Sequence, residues 1–263
     1  MEPIRYKGKL EGKSNAHFIT FNDGFDYIVK FSQIGFEKSL ANEWISYCLA
    51  RYMGLPIPYA KIVEIPDDFS ASFLSPEQIN LSKYQFASRY VPDCVNGHEC
   101  PTPIHCENKE TVPSMIVFDY WLFNRDRTRK NVLFQRKHGN VYRLWTIDHA
   151  EVFNSYRWTL DELNRLPKDE LLESATHRFL ARFIDTEDGF SKAIEIMQKM
   201  PTLLIEDILE LIPEDWNVSK EEKKGIVRQL IHRRKKIVPN LIDRFIEETY
   251  GTNRHSKNVE IDR

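Results

Sequence analysis

The chain has 263 residues, enough for one large domain or two closely packed lobes with a sizeable buried core. A hydrophobic fraction of 41% with 12% aromatic residues is that of a folded globular protein, and a formal net charge of −2 supplies no overall field to recruit nucleic acid or an anionic membrane. The opening stretch MEPIRYKGKLEGK lacks an apolar core of signal-peptide length, no later segment approaches a membrane span, and four cysteines are too few for a disulfide scaffold, so the expected compartment is the cytoplasm.

From Ala16 to Phe31 two alternating strands, AHFITF and DYIVKF, flank NDG, whose Asp-Gly is a hairpin-turn signal. A helix follows from about Ser39 to Met53: Leu40, Trp44, Ile45, Cys48, Leu49 and Tyr52 recur at helical spacing, Gly54 stands where a C-terminal cap would, and Pro56 lies just beyond. YAKIVEI and YQFASRYV then read as strands separated by a polar surface loop.

PDCVNGHECPTPIHCENKET has the Pro, Gly and polar content of a linker or irregular insert. Beyond it, SMIVFDYWLF predicts a helix with Ile116, Val117, Tyr120 and Trp121 on one face, NVLFQRKHGNVYRLWTID predicts two strands about a KHGN turn, and amphipathic helices run from Asp161 to Tyr250. The segment from Gly251 is polar and reads as a disordered tail. The expected organisation is a single domain over 1–250, with an N-terminal lobe to about Val91, an insert over about 92–110 and a C-terminal lobe over about 111–250.

Chemistry is suggested by FNRDRTRKNVLF, residues 123–134. Asp126 and Asn131 sit five positions apart in a loop between helix and strand, and Asp148 ends the second strand of the next hairpin. Phosphoryl transfer needs a carboxylate near the attacking hydroxyl and oxygen ligands for magnesium against the phosphates, and these three side chains supply that set. The protein-kinase catalytic loop has the same Asp-to-Asn spacing. Each residue alone reads equally as a turn or cap residue; the order of the three makes the pattern specific. Upstream, Lys30 ends YIVK and Glu43 lies early in the next helix. By position alone the lysine would reach solvent and the glutamate a wet helix face, but the order strand lysine, helix glutamate, catalytic loop is that of a two-lobed kinase.

These stretches, DGFDYIVKF, LANEWISYCLARYMGLPIP, FDYWLFNRDRTRKNVLF and WTIDHAEVF, resemble the HipA-like kinases, whose fold is related to the protein and phosphatidylinositol kinases. The resemblance covers most of residues 16–153. It implies an α+β, two-lobed kinase-like fold with a β-rich N-terminal lobe and a mainly helical C-terminal lobe. By the same resemblance Lys30 contacts ATP phosphates with Glu43 as its partner, Asp126 is the catalytic base, Asn131 and Asp148 are magnesium ligands, and Lys130 neutralises charge on the phosphate in flight. There is no G-x-G-x-x-G; EGKSNAH offers Gly12, Lys13, Ser14 and Asn15 as phosphate-loop donors, with no strand evident before it. His149 stands where protein kinases have Phe. The adenine edge is expected against the backbone of Arg89, Tyr90 and Val91. The expected reaction moves the γ-phosphate of ATP to a hydroxyl, of protein Ser or Thr; a small-molecule or lipid kinase on this fold and a nucleotide-binding pseudokinase are the alternatives, and a nucleic-acid partner is disfavoured by the charge balance.

Two further clusters remain. Cys94, His98, Cys100, His105 and Cys106 include four candidate zinc ligands, but their spacing matches no familiar zinc pattern and no bound zinc is expected. IHRRKK, residues 231–236, lies in a helix whose Ile226, Leu230, Ile237 and Leu241 face the core, and reads as its solvated face.

Overall fold

The computed structural model describes residues 1–79, 81–101, 104–172 and 174–250; the tail expected over 251–263 lies outside the described residues, and the side chain of Tyr250 with it. The N-terminal sheet is built from β1 (Pro3–Lys9), β2 (Ala16–Phe21), β3 (Asp26–Lys30), β4 (Ala60–Glu64) and β5 (Tyr84–Arg89), all antiparallel, in the order β1-β2-β3-β5-β4. The NDG hairpin joins β2 to β3 as expected. Strand β1 was not legible in the sequence, because PIRYKGK exposes its basic residues and alternates weakly. It gives the EGKSN stretch the preceding strand that it lacked: Leu10 to Asn15 now connects β1 to β2, closed by the Leu10 amide donating to the Ala16 carbonyl at 2.8 Å.

Helix α1 (Ser39–Tyr52) separates β3 from β4. It ends as the sequence predicts: Gly54 takes φ +72°, its amide bonds the Arg51 carbonyl at 3.2 Å, and the Leu55 amide bonds that of Ala50 at 2.9 Å, the paired closure for which a residue without Cβ is favoured. The β4–β5 connection carries α2 (Asp67–Ser70) and α3 (Pro76–Ile79) and is no surface loop. Phe69, Phe73 and Leu74 from it cover one face of the sheet, formed by Ile19, Phe21, Tyr27, Val29, Val63 and Ala87. By strand alternation the other face bears Phe18, Ile28, Lys30 and Phe86, registered Phe18 to Ile28 and Lys30 to Phe86.

The segment read as an irregular insert contributes β6 (Cys94–Asn96) and β7 (His105–Cys106) to a second sheet. With β8 (Val132–His138) and β9 (Val141–Thr146) its order is β6-β8-β9-β7, β7 running parallel to β9. Between β7 and β8 lies α4 (Val112–Leu122), and after β9 come α5 (Leu160–Asn164), α6 (Ala175–Leu180), α7 (Asp188–Lys199), α8 (Thr202–Glu210), α9 (Lys220–His232) and α10 (Val238–Phe245). A continuous apolar core joins Leu40, Ile45 and Leu49 of α1 to Trp121, Phe134, Leu144, Leu230 and Leu241. Helix α1 therefore shares its core with the helical half of the chain. No helix among the described residues is long and apolar enough to cross a membrane.

Helix α4 is buried on every side, only Ser114 escaping, rather than on the single expected face. Its C-terminus then has no water for its last carbonyls, which must find internal donors. Arg233 supplies them. Its guanidinium donates to the Trp121 carbonyl at 2.9 Å, Tyr120 at 2.7 Å and Pro167 at 2.8 Å. Burial lowers its pKa only to about 10, leaving it cationic at neutral pH. Arg234 is also buried and donates to Thr202 and the Met200 carbonyl. Half of the supposedly solvated RRKK run is thus interior, because a cation can bury where helix C-termini present unpaired oxygens. Replacing Arg233 by Met would leave three carbonyls without these donors, those of Tyr120 and Trp121 buried, and is expected to cost about 3 kcal/mol or more. Urea unfolding would show it as a lowered midpoint at unchanged slope.

Candidate active site

Lys30 closes β3, Glu43 lies in the second turn of α1, and Asp148 follows β9; three distant stretches meet at one ammonium group. The Lys30 Nζ donates to Glu43 Oε1 and, at 2.7 Å, to Asp148 Oδ1. Lys30 and Glu43 are buried, while a third of the Asp148 side chain is exposed. The Glu43 Oε1 also accepts from the His149 amide at 3.2 Å. Burial works against the lysine's charge, but Asp148 and Glu43 outweigh it and raise its pKa. Burial pushes Glu43 up against the pull of Lys30, whereas for Asp148 the ammonium prevails over burial and the pKa falls. Two carboxyls share one cation. Asp148 also adopts φ +58°, the left-handed region that a non-glycine residue occupies only where its surroundings enforce it.

Asp126 and Asn131 lie in the loop between α4 and β8. The Asn131 Nδ2 donates to the Asp126 carbonyl at 2.7 Å and lies 3.4 Å from its Oδ2, while the Ile147 amide donates to the Asn131 carbonyl at 3.1 Å, tying the loop to the residue before Asp148. Asp126 is half-buried, and its pKa is raised by burial, then by the negative charges of Glu151 and Asp148. The structure brings together Lys30, Glu43, Asp126, Asn131 and Asp148. Lys130 points outward and is exposed.

Four buried residues that frame this site, Asp119, Asn124, Arg127 and His177, were missed from the sequence. Asp119 on α4 is fully buried and accepts from Arg127 Nε at 2.9 Å and Nη2 at 3.0 Å, and from Asn124 Nδ2 at 2.9 Å; His177 Nε2 of α6 lies 2.9 Å away. The same guanidinium donates to the carbonyls of Asn131 at 3.2 Å and Ile147 at 3.0 Å, and to His149 Nε2 at 2.8 Å. A guanidinium only donates, so His149 accepts through Nε2 and carries its proton on Nδ1. Burial, aided by Arg127, lowers the His149 pKa to about 3, so the imidazole is neutral. Edge-on to Phe118 at 5.8 Å, it fills an aromatic position with a hydrogen-bonding ring. An arginine beside an aspartate in a basic loop reads as solvated, and nothing in the sequence marks Arg127 as interior.

The remaining candidates divide. Gly12 and Lys13 are exposed, Ser14 is half-buried, and Asn15 is buried with φ +43°. Asn15 Oδ1 lies 3.1 Å from His17 Nε2, a ring whose pKa burial and Lys9 lower to about 4, and its Nδ2 is buried without a partner. At the end of β5 the amides of Arg89 and Tyr90 are already bonded to the Tyr59 and Asp26 carbonyls, at 2.7 and 2.9 Å. The cysteines do not form one cluster, although Cys100 lies within electrostatic reach of Cys106. Cys94 on β6 and Cys106 on β7 occupy opposite outer strands, about 14 Å apart across β8 and β9 at the usual strand spacing. Burial raises the Cys94 and Cys100 thiols to about 11, and among the described residues no group of three or more His, Cys, Asp or Glu side chains is placed to hold a metal ion.

An antiparallel N-terminal sheet with one helix turned onto a helical C-terminal half, and a lysine, glutamate and aspartate joined where they meet, defines the kinase-like fold. The chain belongs to the HipA-like kinase family, whose family model matches residues 5–249, and so to the kinase-type phosphotransferases. Among solved structures it is similar to the Helicobacter pylori proinflammatory kinase CtkA, with a TM-score of 0.62 at 17% identity over 94% of this chain and 96% of that one. It is also similar to Shewanella oneidensis HipA, from a toxin–antitoxin complex with HipB and operator DNA, with a TM-score of 0.53 at 15% identity over 90% and 68%. At these identities the likeness is one of fold. Sequence comparison with curated proteins finds no match.

The Asp119 network has a pH signature. Burial alone would raise this carboxyl, but Arg127 and His177 outweigh it and hold it well below the usual carboxylate range. A group whose pKa is depressed by folding contributes stability that is complete above its unfolded value of about 3.9 and disappears as pH falls through the folded value. Asp119→Asn strands a buried guanidinium and is expected to cost about 3–5 kcal/mol at pH 7. Urea titrations from neutral pH down to acid should show wild-type stability falling below the unfolded carboxylate pKa and a shallower fall in the variant.

Proposed function

We propose that this protein transfers the γ-phosphate of ATP to a hydroxyl, that of Ser or Thr in a protein substrate, with magnesium. The observation that carries the reading is the Lys30 ammonium held between Glu43 and Asp148, beside a loop presenting Asp126 and Asn131. A lysine pinned extended by two carboxylates is pre-oriented toward polyphosphate, and the acid-rich surroundings suit a divalent cation. Asn131 and Asp148 would hold magnesium, which when bound neutralises phosphate charge. The orphaned Asn15 Nδ2, on the loop between β1 and β2, is a donor that a phosphate oxygen would satisfy.

An adenine ring would lie against half-buried apolar side chains of the two sheets. Phe18 and Ile28 on the Lys30 face of the upper sheet are half-buried, as is Leu133, which alternates on β8 with the buried Val132 and Phe134. Because the Arg89 and Tyr90 amides are engaged, an adenine edge would bond the carbonyls of that segment or the Val91 amide. Asp126, its basicity raised by burial and neighbouring charge, would take the acceptor's proton. Lys130 is left as an exposed cation at the site's rim.

Asp126 and Asp148 should fail differently. Asp126→Asn is expected to lower phosphoryl transfer by about 10²- to 10⁴-fold while nucleotide affinity holds, since a base acts mainly in the transition state. Asp148→Asn should weaken nucleotide binding in magnesium but hardly without it. Calorimetric ATP titrations with and without magnesium, beside single-turnover transfer to casein, measure both; unchanged binding and transfer in both variants would defeat the reading, whereas metal-dependent binding without any transfer would indicate a pseudokinase.

A further inference from the structure

Strand β5 is anchored to the helical half of the chain at the end opposite Arg89. Between α8 and α9 the chain turns through Asp215, Trp216 and Asn217, the last at φ +53°. Asp215 Oδ2 accepts from the Lys83 amide at 2.7 Å, from Ser82 Oγ at 2.8 Å and from the Tyr84 amide at 3.2 Å, and Trp216 Nε1 donates to the Tyr84 carbonyl at 2.8 Å. One carboxylate oxygen thus gathers three donors where β5 begins. From there the contacts run on toward Lys30. The buried Gln85 donates through Nε2 to the Ser82 carbonyl at 2.7 Å and accepts through Oε1 from the Ser32 amide at 3.1 Å. Ser32 stands two residues beyond Lys30.

The same junction holds the other end of the connection between β3 and α1. Lys38, buried and directly before α1, donates to the Asn217 carbonyl and, at 2.9 Å, to Glu222 Oε2, an oxygen that also accepts from the Ser219 amide at 2.8 Å and so caps α9. The tip of the connection faces water, Ile34 being 74% exposed, so its course is set by its ends. Residues 31–38 separate Lys30 from the helix that carries Glu43, and both of their ends lead back to residues 215–222. A swing of the sheet about Arg89 would lift Ser82 to Tyr84 off the Asp215 carboxylate.

We infer that Asp215 is a positioning residue for nucleotide binding: its carboxylate fixes the start of β5, and Gln85 passes that placement to the chain leaving Lys30. The inference rests on the kinase reading above, in which Lys30 binds phosphate. Charge-assisted bonds to a carboxylate are the stronger kind, and a cation displaced by about an ångström loses much of its effect on a bound group. Asp215 touches neither nucleotide nor acceptor; it acts through Lys30.

The test is calorimetric Mg-ATP binding to the full chain as wild type, Asp215→Ala, Lys30→Met and the double variant, with a urea midpoint for each. Asp215→Ala is expected to weaken binding by about 10-fold. In the Lys30→Met background the same change should add little, a non-additivity that a general loss of stability does not produce. Phe190→Leu in α7, a buried position, should lower the urea midpoint and leave affinity unchanged. Ser82→Ala removes one of the three donors and leaves the carboxylate in place; it should weaken binding by a smaller factor, again only while Lys30 is present, and it carries the test if Asp215→Ala does not fold. If these variants bind Mg-ATP as wild type does, or if their losses add to that of Lys30→Met, Asp215 only stabilises the fold, and the inference falls while the kinase reading stands. A wild type that binds no Mg-ATP defeats both.

Discussion

The guanidinium of Arg127 is the point on which the site's geometry depends. Removing such a cation from water costs several kcal/mol even after the protein relaxes, so it is tolerated only where its donors are answered together. Here they are answered by Asp119 on α4, by two backbone carbonyls and by the His149 ring. Those carbonyls belong to Asn131 and to Ile147, one within the loop of Asp126 and the other directly before Asp148. The Asp126 loop and the chain leading into Asp148 are thus positioned by one desolvated charge. A shift of either would leave a buried donor unpaired.

Helix α1 makes the matching connection from the other side of the cleft. Its apolar stripe is ordinary, but Asn42, Glu43 and Ser46 are buried as well, against what its amphipathic pattern suggested. Glu43 holds Lys30, Asn42 grips the chain beyond Asp148, and Trp44 Nε1 donates to the Ile208 carbonyl at 3.1 Å. A helix that in sequence belongs to the β-rich lobe is fastened to the helical one. The ion pair between strand and helix is accordingly anchored, through α1, to both halves of the chain.

What could be read from the sequence follows from how locally each feature is encoded. The NDG hairpin, the Gly54 cap and the order of Lys30, Glu43, Asp126, Asn131 and Asp148 are signalled within short windows, by turn chemistry, periodicity or spacing. Strand β1 is polar, and β6 and β7 are two or three residues long, so their existence depends on partners far along the chain. The interior places of Arg127, Asp119 and Arg233 were unreadable for a different reason. Charged residues are presumed wet, and only the fold shows that each faces oxygens, nitrogens or charges that water cannot reach. The β4–β5 connection is similar in kind: Phe69, Phe73 and Leu74 sit among polar residues, and a sheet face is needed to show what they cover.

Strand β1 has a consequence beyond the loop that it begins. It is an outer strand of the N-terminal sheet, with one row of peptide groups unclaimed by any neighbouring strand. Such a row is a template for another chain, and its most effective protection is charge along the strand. Arg5, Lys7 and Lys9 place three cations on seven residues, and the bulges between Pro3 and Arg5 and between Tyr6 and Gly8 break the regular pleat. Two copies brought edge to edge would set these cations against each other. The residues that disguise β1 in the sequence are those that line its open edge with charge, Lys7 being paired with Asp26 across β2.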